Sequence, residues 1–306
     1  MPLSLRSLCL PPLFGSRCSW LLLVVLGLLP TSVFAQDLFL FDLDGRYPLE
    51  GKIVTRRMVS ERPNHLFTYD FPDRSERLTI STTQVLTRHG QTLKEDPRTG
   101  EPLDFTVRFT EGEERKILSR LGQRVNDGLE QHPLLGHTVR VRKIGDLWVP
   151  SLVDADPTPE QVTAMQELKL DDDAPKVYPE QPVPIGFTWN PPASVFLGKR
   201  SANSFNATAE LTLKDVERSN GEPIAVIDVK LTGNALQQID RELSTGMRGS
   251  FEMTGQIRRN LRTYMDESVR LEGQMSVSGL FKSPGEGPIP VSAEGPWILT
   301  VTETLR

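Results

Sequence analysis

Cysteine, an excess of positive charge and long apolar runs are all scarce in this sequence. Its two cysteines, Cys9 and Cys18, lie near the start, so the rest of the chain has no thiol for a disulfide or a nucleophile. Acidic residues number 40 against 35 basic ones, and no basic patch stands out, which argues against a nucleic acid partner. The apolar run Leu21–Leu29 is about half of the roughly 20 residues that span a bilayer. We therefore expect no integral membrane span once the leader is removed.

Residues 1–35 have the three-part organisation of a secretory signal peptide. Arg6 and Arg17 precede the apolar run, and Val33-Phe34-Ala35 offers residues that a signal peptidase accepts. We predict cleavage before Gln36 and export of a mature chain with 33 basic and 40 acidic residues. A cysteine-free exported chain is typical of a bacterial envelope, so the predicted location is the periplasm or the extracellular space.

Long segments of the C-terminal part alternate apolar with polar residues. The clearest run from Phe205 to Lys214, from Phe251 to Leu261 and from Val269 to Gly279. Because successive side chains of a strand point to opposite faces, each segment has one apolar and one polar side. The predicted fold is therefore mainly β with minor α. We expect a curved antiparallel sheet, shaped as a half-barrel or roll, with one short helix packed on it.

The N-terminal part has shorter strand-like runs separated by turn signals. Lys52–Ser60, His65–Phe71 and Arg77–Arg88 have strand composition, and Arg62-Pro63-Asn64 stands between the first two. His89-Gly90 is predicted to turn the chain after the third. The sequence thus predicts several short strands in this part of the chain.

One helix is predicted, at Pro159–Leu168. Asp156-Pro157-Thr158 supplies capping groups before it, and apolar residues recur at three-residue spacing along it. We expect residues 36–306 to form a single antiparallel β domain. The alternative is two sheet halves, residues 50–155 and 186–306, joined by the helix and a proline-rich linker at 156–185.

Residues that could carry catalysis are few. The four histidines are scattered, and the sequence has neither a Gly-x-Ser-x-Gly elbow nor a phosphate-binding glycine loop. The acidic run Asp171-Asp172-Asp173 lacks the rest of a calcium loop and is interpreted as a solvated helix end. We predict no catalytic residue, no metal site and no cofactor, and a carboxylate pair for hydrolysis is the weakest alternative.

The apolar side of the sheet has two interpretations. It could be an ordinary core covered by a second layer, or it could leave a cleft for an acyl chain or another apolar group. Aromatic and methionine side chains offer large, adaptable apolar contacts. The candidate ligand-binding residues are Met165, Leu168, Trp189, Phe205, Met253 and Met275.

Three short motifs resemble a known group of proteins. They are the Pro-Val-x-x-Gly-x-x-Trp pattern at Pro182–Trp189, the Gly-x-x-x-Ala-x-Ile pattern at Gly221–Ile227, and Leu271-Glu272-Gly273-Gln274-Met275. The chain resembles uncharacterised exported bacterial proteins that are common in planctomycete-like genomes. That group is similar in build to lipoprotein-carrier and lipid-binding half-barrels of the envelope. The resemblance implies a helix against the concave face and a lipid or lipoprotein as partner.

The leading hypothesis is a non-enzymatic exported envelope protein. It would bind an apolar ligand or a lipidated partner in a cleft of the curved sheet. The main alternative is a structural or protein-interaction module with a fully packed core. The oligomeric state is left open by the sequence.

Overall fold

The computed structural model describes residues 37–40, 50–98, 102–166, 168, 177–197, 206–237, 244–283 and 287–306. The predicted signal peptide and the Asp171–Asp173 run lie outside the described residues. The described strands and helices are, in chain order, β1 (Leu38–Phe39), β2 (Ile53–Asp70), β3 (Ser75–Glu95), β4 (Pro102–Arg120), β5 (Gln123–Gln131), β6 (Thr138–Ile144), β7 (Leu147–Leu152), α1 (Pro159–Gln166), β8 (Val183–Pro184), β9 (Thr188–Trp189), α2 (Ser194–Leu197), β10 (Thr208–Ser219), β11 (Glu222–Gln237), β12 (Ser244–Asn260), β13 (Asp266–Ser283) and β14 (Gly287–Leu305).

Twelve of the described strands form one antiparallel sheet. Its order is β7-β6-β4-β3-β2-β14-β13-β12-β11-β10-β9, and β5 lies beside β6 on the same edge of β4. The first and last long strands are neighbours, with Val301 of β14 opposite Met58 of β2. The predicted mainly β fold, a curved antiparallel sheet with a short helix, is confirmed. Residues 37–306 make up one compact unit.

Two predicted interruptions are wrong, because the strands continue through them. β2 passes through Arg62-Pro63-Asn64 by means of a β-bulge, which accommodates both the proline and the positive φ of 51° at Asn64. Ser81 of β3 supports the bulge, since its Oγ accepts a hydrogen bond from the Asn64 amide at 2.9 Å. β3 likewise continues through His89-Gly90, where Gly90 pairs with Val54. Pairing on both sides therefore overrides these local turn signals.

The predicted helix is present as α1, and its start is a capping box. The Thr158 hydroxyl accepts a hydrogen bond from the Gln161 amide at 3.3 Å, and the Gln161 side chain accepts one from the Thr158 amide at 2.9 Å. Gln161 also donates through Nε2 to the carbonyl of Pro133 at 3.1 Å, which fastens the helix to the β5–β6 connection. The helix buries Met165 against the sheet.

One face of the sheet, called here the apolar face, carries the core, and the opposite face is the polar face. The first core cluster lies on β10–β13 beneath β1, β8 and α2; its buried members are Val183, Ala193, Ala209, Leu211, Leu213, Ala225, Ile227, Val229, Leu231, Phe251, Met253, Ile257 and Leu271. The second core cluster lies on β4, β6 and β7 beneath α1; its buried members are Val107, Phe109, Leu134, Val139, Val141, Trp148 and Met165. A third, smaller cluster contains Val277, Val291 and Ala293. Among the described residues, the covering layer is thus divided into separate pieces.

Candidate ligand-binding face

The structure separates the candidate residues into two groups. Met165 and Leu168 belong to the second core cluster, beneath and beside α1. Met253 is fully buried in the first core cluster, and Trp189 and Met275 pack against that cluster. Phe205 lies outside the described residues. The predicted set therefore does not meet at one site, and its described members line two different covered regions.

Between the two covered regions the apolar face continues as a strip of side chains on β3, β2 and β14. We call Met58, Leu86, Leu299 and Val301 the central strip. Met58 lies directly opposite Leu86 on one side and Val301 on the other. Leu86 packs against the second core cluster and Leu299 against the first, so the strip connects the two. Met58, Leu86 and Leu299 are only half-buried.

A row of charged side chains borders the central strip on the same face. Arg56 lies two residues before Met58 in β2, on the same face. It is opposite Arg88 of β3 and opposite Glu303 of β14. The Arg56 Nε is 3.5 Å from the Glu303 Oε1, and the side chains are 43% and 20% exposed. Burial lowers the pKa of Arg88, and the neighbouring Arg56 charge lowers it further. Burial also raises the pKa of Glu303, although the nearby Arg56 opposes that shift.

The sequence does not predict a role for Arg56, Arg88 or Glu303. In β2 the run Arg56-Arg57 places a charge at two successive positions, so alternation does not say which one faces the core. The pairing of β2 with both β3 and β14 decides the matter, because it puts Arg56 in line with Glu303 and Arg88. The only local signal was a charged pair beside an apolar Met58.

Residues 177–184, called here the covering segment, pack on the first core cluster. They are attached to the sheet at the end of the same charged row. The Tyr178 hydroxyl donates to Asp266 Oδ1 at 2.7 Å, and the Arg259 guanidinium donates to the same oxygen at 2.8 Å. That guanidinium also lies 3.9 Å from the centre of the Tyr178 ring. The indole Nε1 of Trp189 donates to the Val177 carbonyl at 2.8 Å, which holds the covering segment to β9.

The polar face also has open space, in two adjoining grooves of about 720 and 400 Å³. Both are lined by Asn234, Ser250 and Ser276, and the two serine hydroxyls hydrogen-bond each other at 2.7 Å. The larger groove also exposes Glu252 and Glu294. These polar groups alternate with apolar surface, and Leu66, Phe251 and the candidate residue Met275 also line the larger groove.

The described part of the chain offers neither a metal-ligand cluster nor a membrane-spanning helix. No group of three or more His, Cys, Asp or Glu side chains there is placed to hold a metal ion. Neither described helix combines the length and the apolar character that a membrane crossing requires.

Comparisons with known proteins give no family. No protein-family model and no curated protein matches the sequence. A solved structure on lipid–protein interactions in lipovitellin is similar at a TM-score of 0.38 with 11% identity, covering 85% of this chain and 26% of that chain. The outer membrane protein OprG from Pseudomonas aeruginosa is similar at 0.22 with 10% identity, covering 86% of this chain and 99% of that chain.

A DUF1329 family protein from Desulfovibrio piger is similar at a TM-score of 0.13 with 10% identity, covering 82% of this chain and 85% of that one. This chain spans about a quarter of the lipovitellin chain. Similarity at these TM-scores identifies neither a family nor a function, and it does not bear on the predicted bacterial group or on export.

Proposed function

We propose that the protein is a non-enzymatic, exported envelope protein that binds an apolar ligand or a lipidated partner on the apolar face of its sheet. The observation that carries this proposal is the central strip. Three of its four side chains are half-buried and the strip is continuous with both core clusters, while the described elements that cover those clusters are separate. An apolar chain along the strip would remove this surface from water, at about 25 cal/mol for each Å² buried.

Met58 is the best position for a test, because it occupies the middle of the strip. The full chain is produced in a bacterium that exports it, and native mass spectrometry records any bound mass, which organic extraction then identifies. We expect a lipid-sized addition. We also expect Met58→Gln to weaken binding of a fluorescent fatty acid by about tenfold, since one buried apolar side chain contributes on the order of 1.5 kcal/mol.

Val59→Gln is the matched control. Val59 is the next residue of the same strand, is also half-buried and lies on the polar face. Its substitution should leave fatty-acid binding unchanged. A clean apo mass together with no uptake of added lipid would overturn the proposal.

That outcome would favour the interaction module with a packed core, for which the β6–β7 hairpin provides an observation of its own. Ile144 and Leu147, which pair across the turn of this hairpin, are 57% and 72% exposed. Exposed apolar side chains at a sheet edge are a feature of surfaces that contact other proteins.

A further inference from the structure

We propose that Arg56 and Arg88 bind the anionic head group of an amphiphile whose apolar chain lies on the central strip. The inference rests on the proposed function and specifies its ligand class: a single-chain or multi-chain lipid-like molecule that ends in a carboxylate or a phosphate. Both guanidinium groups stand on the apolar face, directly opposite each other on β2 and β3.

The charge balance of this row calls for an anion. Like charges directly opposite each other across two antiparallel strands are destabilising. Glu303 is the cross-strand carboxylate beside them, opposite Arg56, so two guanidinium groups share one acid and the three residues carry a net charge of +1. The nearby Asp266 is already held by Arg259 and Tyr178. One further negative charge would neutralise the row.

Arg88 has unused hydrogen-bonding capacity. Within the described part of the chain its guanidinium group makes neither a hydrogen bond nor an ion pair, although burial lowers its pKa. A guanidinium presents five N–H donors in a planar fork that matches the oxygens of a carboxylate or a phosphate. Such charge-assisted bonds are about twice as strong as neutral ones.

The spacing of the two regions suits an amphiphile. Arg56 and Met58 are two residues apart on one strand face, which corresponds to roughly 7 Å. Arg88 and Leu86 stand in the same relation on β3. A head group on the arginines would therefore place the first carbons of its chain on Met58 and Leu86. Arg56 is accessible to such a ligand, since its side chain is 43% exposed.

Titration calorimetry with four probes tests this assignment. Laurate and dodecyl phosphate carry the two anionic head groups, monolaurin is the neutral amphiphile of similar chain length, and inorganic phosphate is the free anion; the amphiphiles are used below their critical micelle concentrations. We expect both anionic amphiphiles, or one of them, to bind at least about tenfold more tightly than monolaurin. Laurate and dodecyl phosphate together show which head group is preferred.

The variant Arg88→Met keeps an unbranched apolar stem at this position and removes the guanidinium group with its charge. It should abolish the preference for anionic amphiphiles and leave monolaurin binding unchanged. The control is Arg77→Met, an exposed position on the polar face of the same strand, which should keep the preference. The melting temperature of Arg88→Met should not fall, because the substitution relieves repulsion from Arg56. A structural role for Arg88 would predict a lower melting temperature instead.

The other results separate the two proposals. Equal binding of laurate, dodecyl phosphate and monolaurin overturns the head-group site and leaves the proposed function standing. Inorganic phosphate bound as tightly as dodecyl phosphate also overturns it, since the site would then take a free anion. Failure of every amphiphile to bind contradicts the proposed function itself.

Discussion

The Tyr178 hydroxyl donates a hydrogen bond of 2.7 Å to Asp266 at the start of β13, which joins the covering segment to the sheet. Asp266 is also bonded to Arg259, whose side chain is 9% exposed. The covering segment is thereby held to a desolvated ion pair, and the apolar contacts of Tyr178 with the first core cluster add to this attachment.

Tyr178→Phe should therefore destabilise the protein by about 1–2 kcal/mol, because it removes one hydrogen bond to a charged acceptor while keeping the ring. Urea denaturation followed by tryptophan fluorescence measures the change. Tyr264→Phe serves as the control, since Tyr264 makes no hydrogen bond within the described residues, and it should change the free energy of unfolding by less than about 0.5 kcal/mol. Equal effects of the two substitutions would contradict the assigned role of the hydroxyl.

Alkaline pH should weaken the same attachment. Burial, together with the Asp266 charge, raises the pKa of Tyr178 well above the ordinary value of about 10 for a tyrosine. The contribution of the neutral Tyr178 hydroxyl to the free energy of unfolding is therefore fully present below pH about 10. It is lost as the pH rises from there towards the folded-state pKa, by about 1.4 kcal/mol per pH unit. Denaturation curves between pH 9 and 11 should show a steeper loss for the natural protein than for Tyr178→Phe. Parallel curves would mean that the hydroxyl is not desolvated.

Gly273 should tolerate no side chain, because β12 approaches it closely. A Cβ atom at this position would lie 2.6 Å from the Cα of Met253 and would overlap the carbonyl oxygen of Glu252. We expect Gly273→Ala to lower the free energy of unfolding by about 1–3 kcal/mol. Gly128 also lies within a strand, but a Cβ atom there would meet its nearest atom, the carbonyl oxygen of Lys116, at 3.9 Å. Gly128→Ala should therefore change the free energy of unfolding by less than about 1 kcal/mol. Chemical denaturation of both variants checks the contrast.

Leu211 provides a test of which side of β10 faces the core. Its side chain has no exposed area, whereas the neighbouring Glu210 is exposed. Leu211→Asp should cost about 3 kcal/mol or more, since it buries an unpaired charge, and Glu210→Gln should stay within about 0.5 kcal/mol of the natural protein. Similar melting temperatures for the two variants would show that the faces are wrongly assigned.

Much of the local structure could be predicted from the sequence. Alternation correctly indicates which residues of β10, β12 and β13 are buried, because the two-residue period of a strand is a property of the backbone itself. The start of α1 was equally readable, since Thr158 and its partner Gln161 are only three residues apart. These features depend on neighbours along the chain.

The positions of the candidate binding residues could not be predicted from the sequence. Met165 and Met253 have the same character in the sequence, yet they lie under different covering elements, and no periodicity distinguishes them. The run Arg62-Pro63-Asn64 predicts a break between two strands, but a bulge accommodates the proline within one strand. Each error came from a feature that depends on what lies across the sheet.

The sequence by itself determined that this protein is built from long amphipathic strands with one capped helix. Only the tertiary structure decided that the last strand pairs with the second, which brings Glu303 beside Arg56 and Val301 beside Met58. Those residues are separated by more than two hundred positions, and their register is set by hydrogen bonds between strands and by the burial of a whole face. The physical reason for the division is therefore range: backbone geometry acts within a few residues, whereas strand pairing joins segments that the sequence keeps far apart.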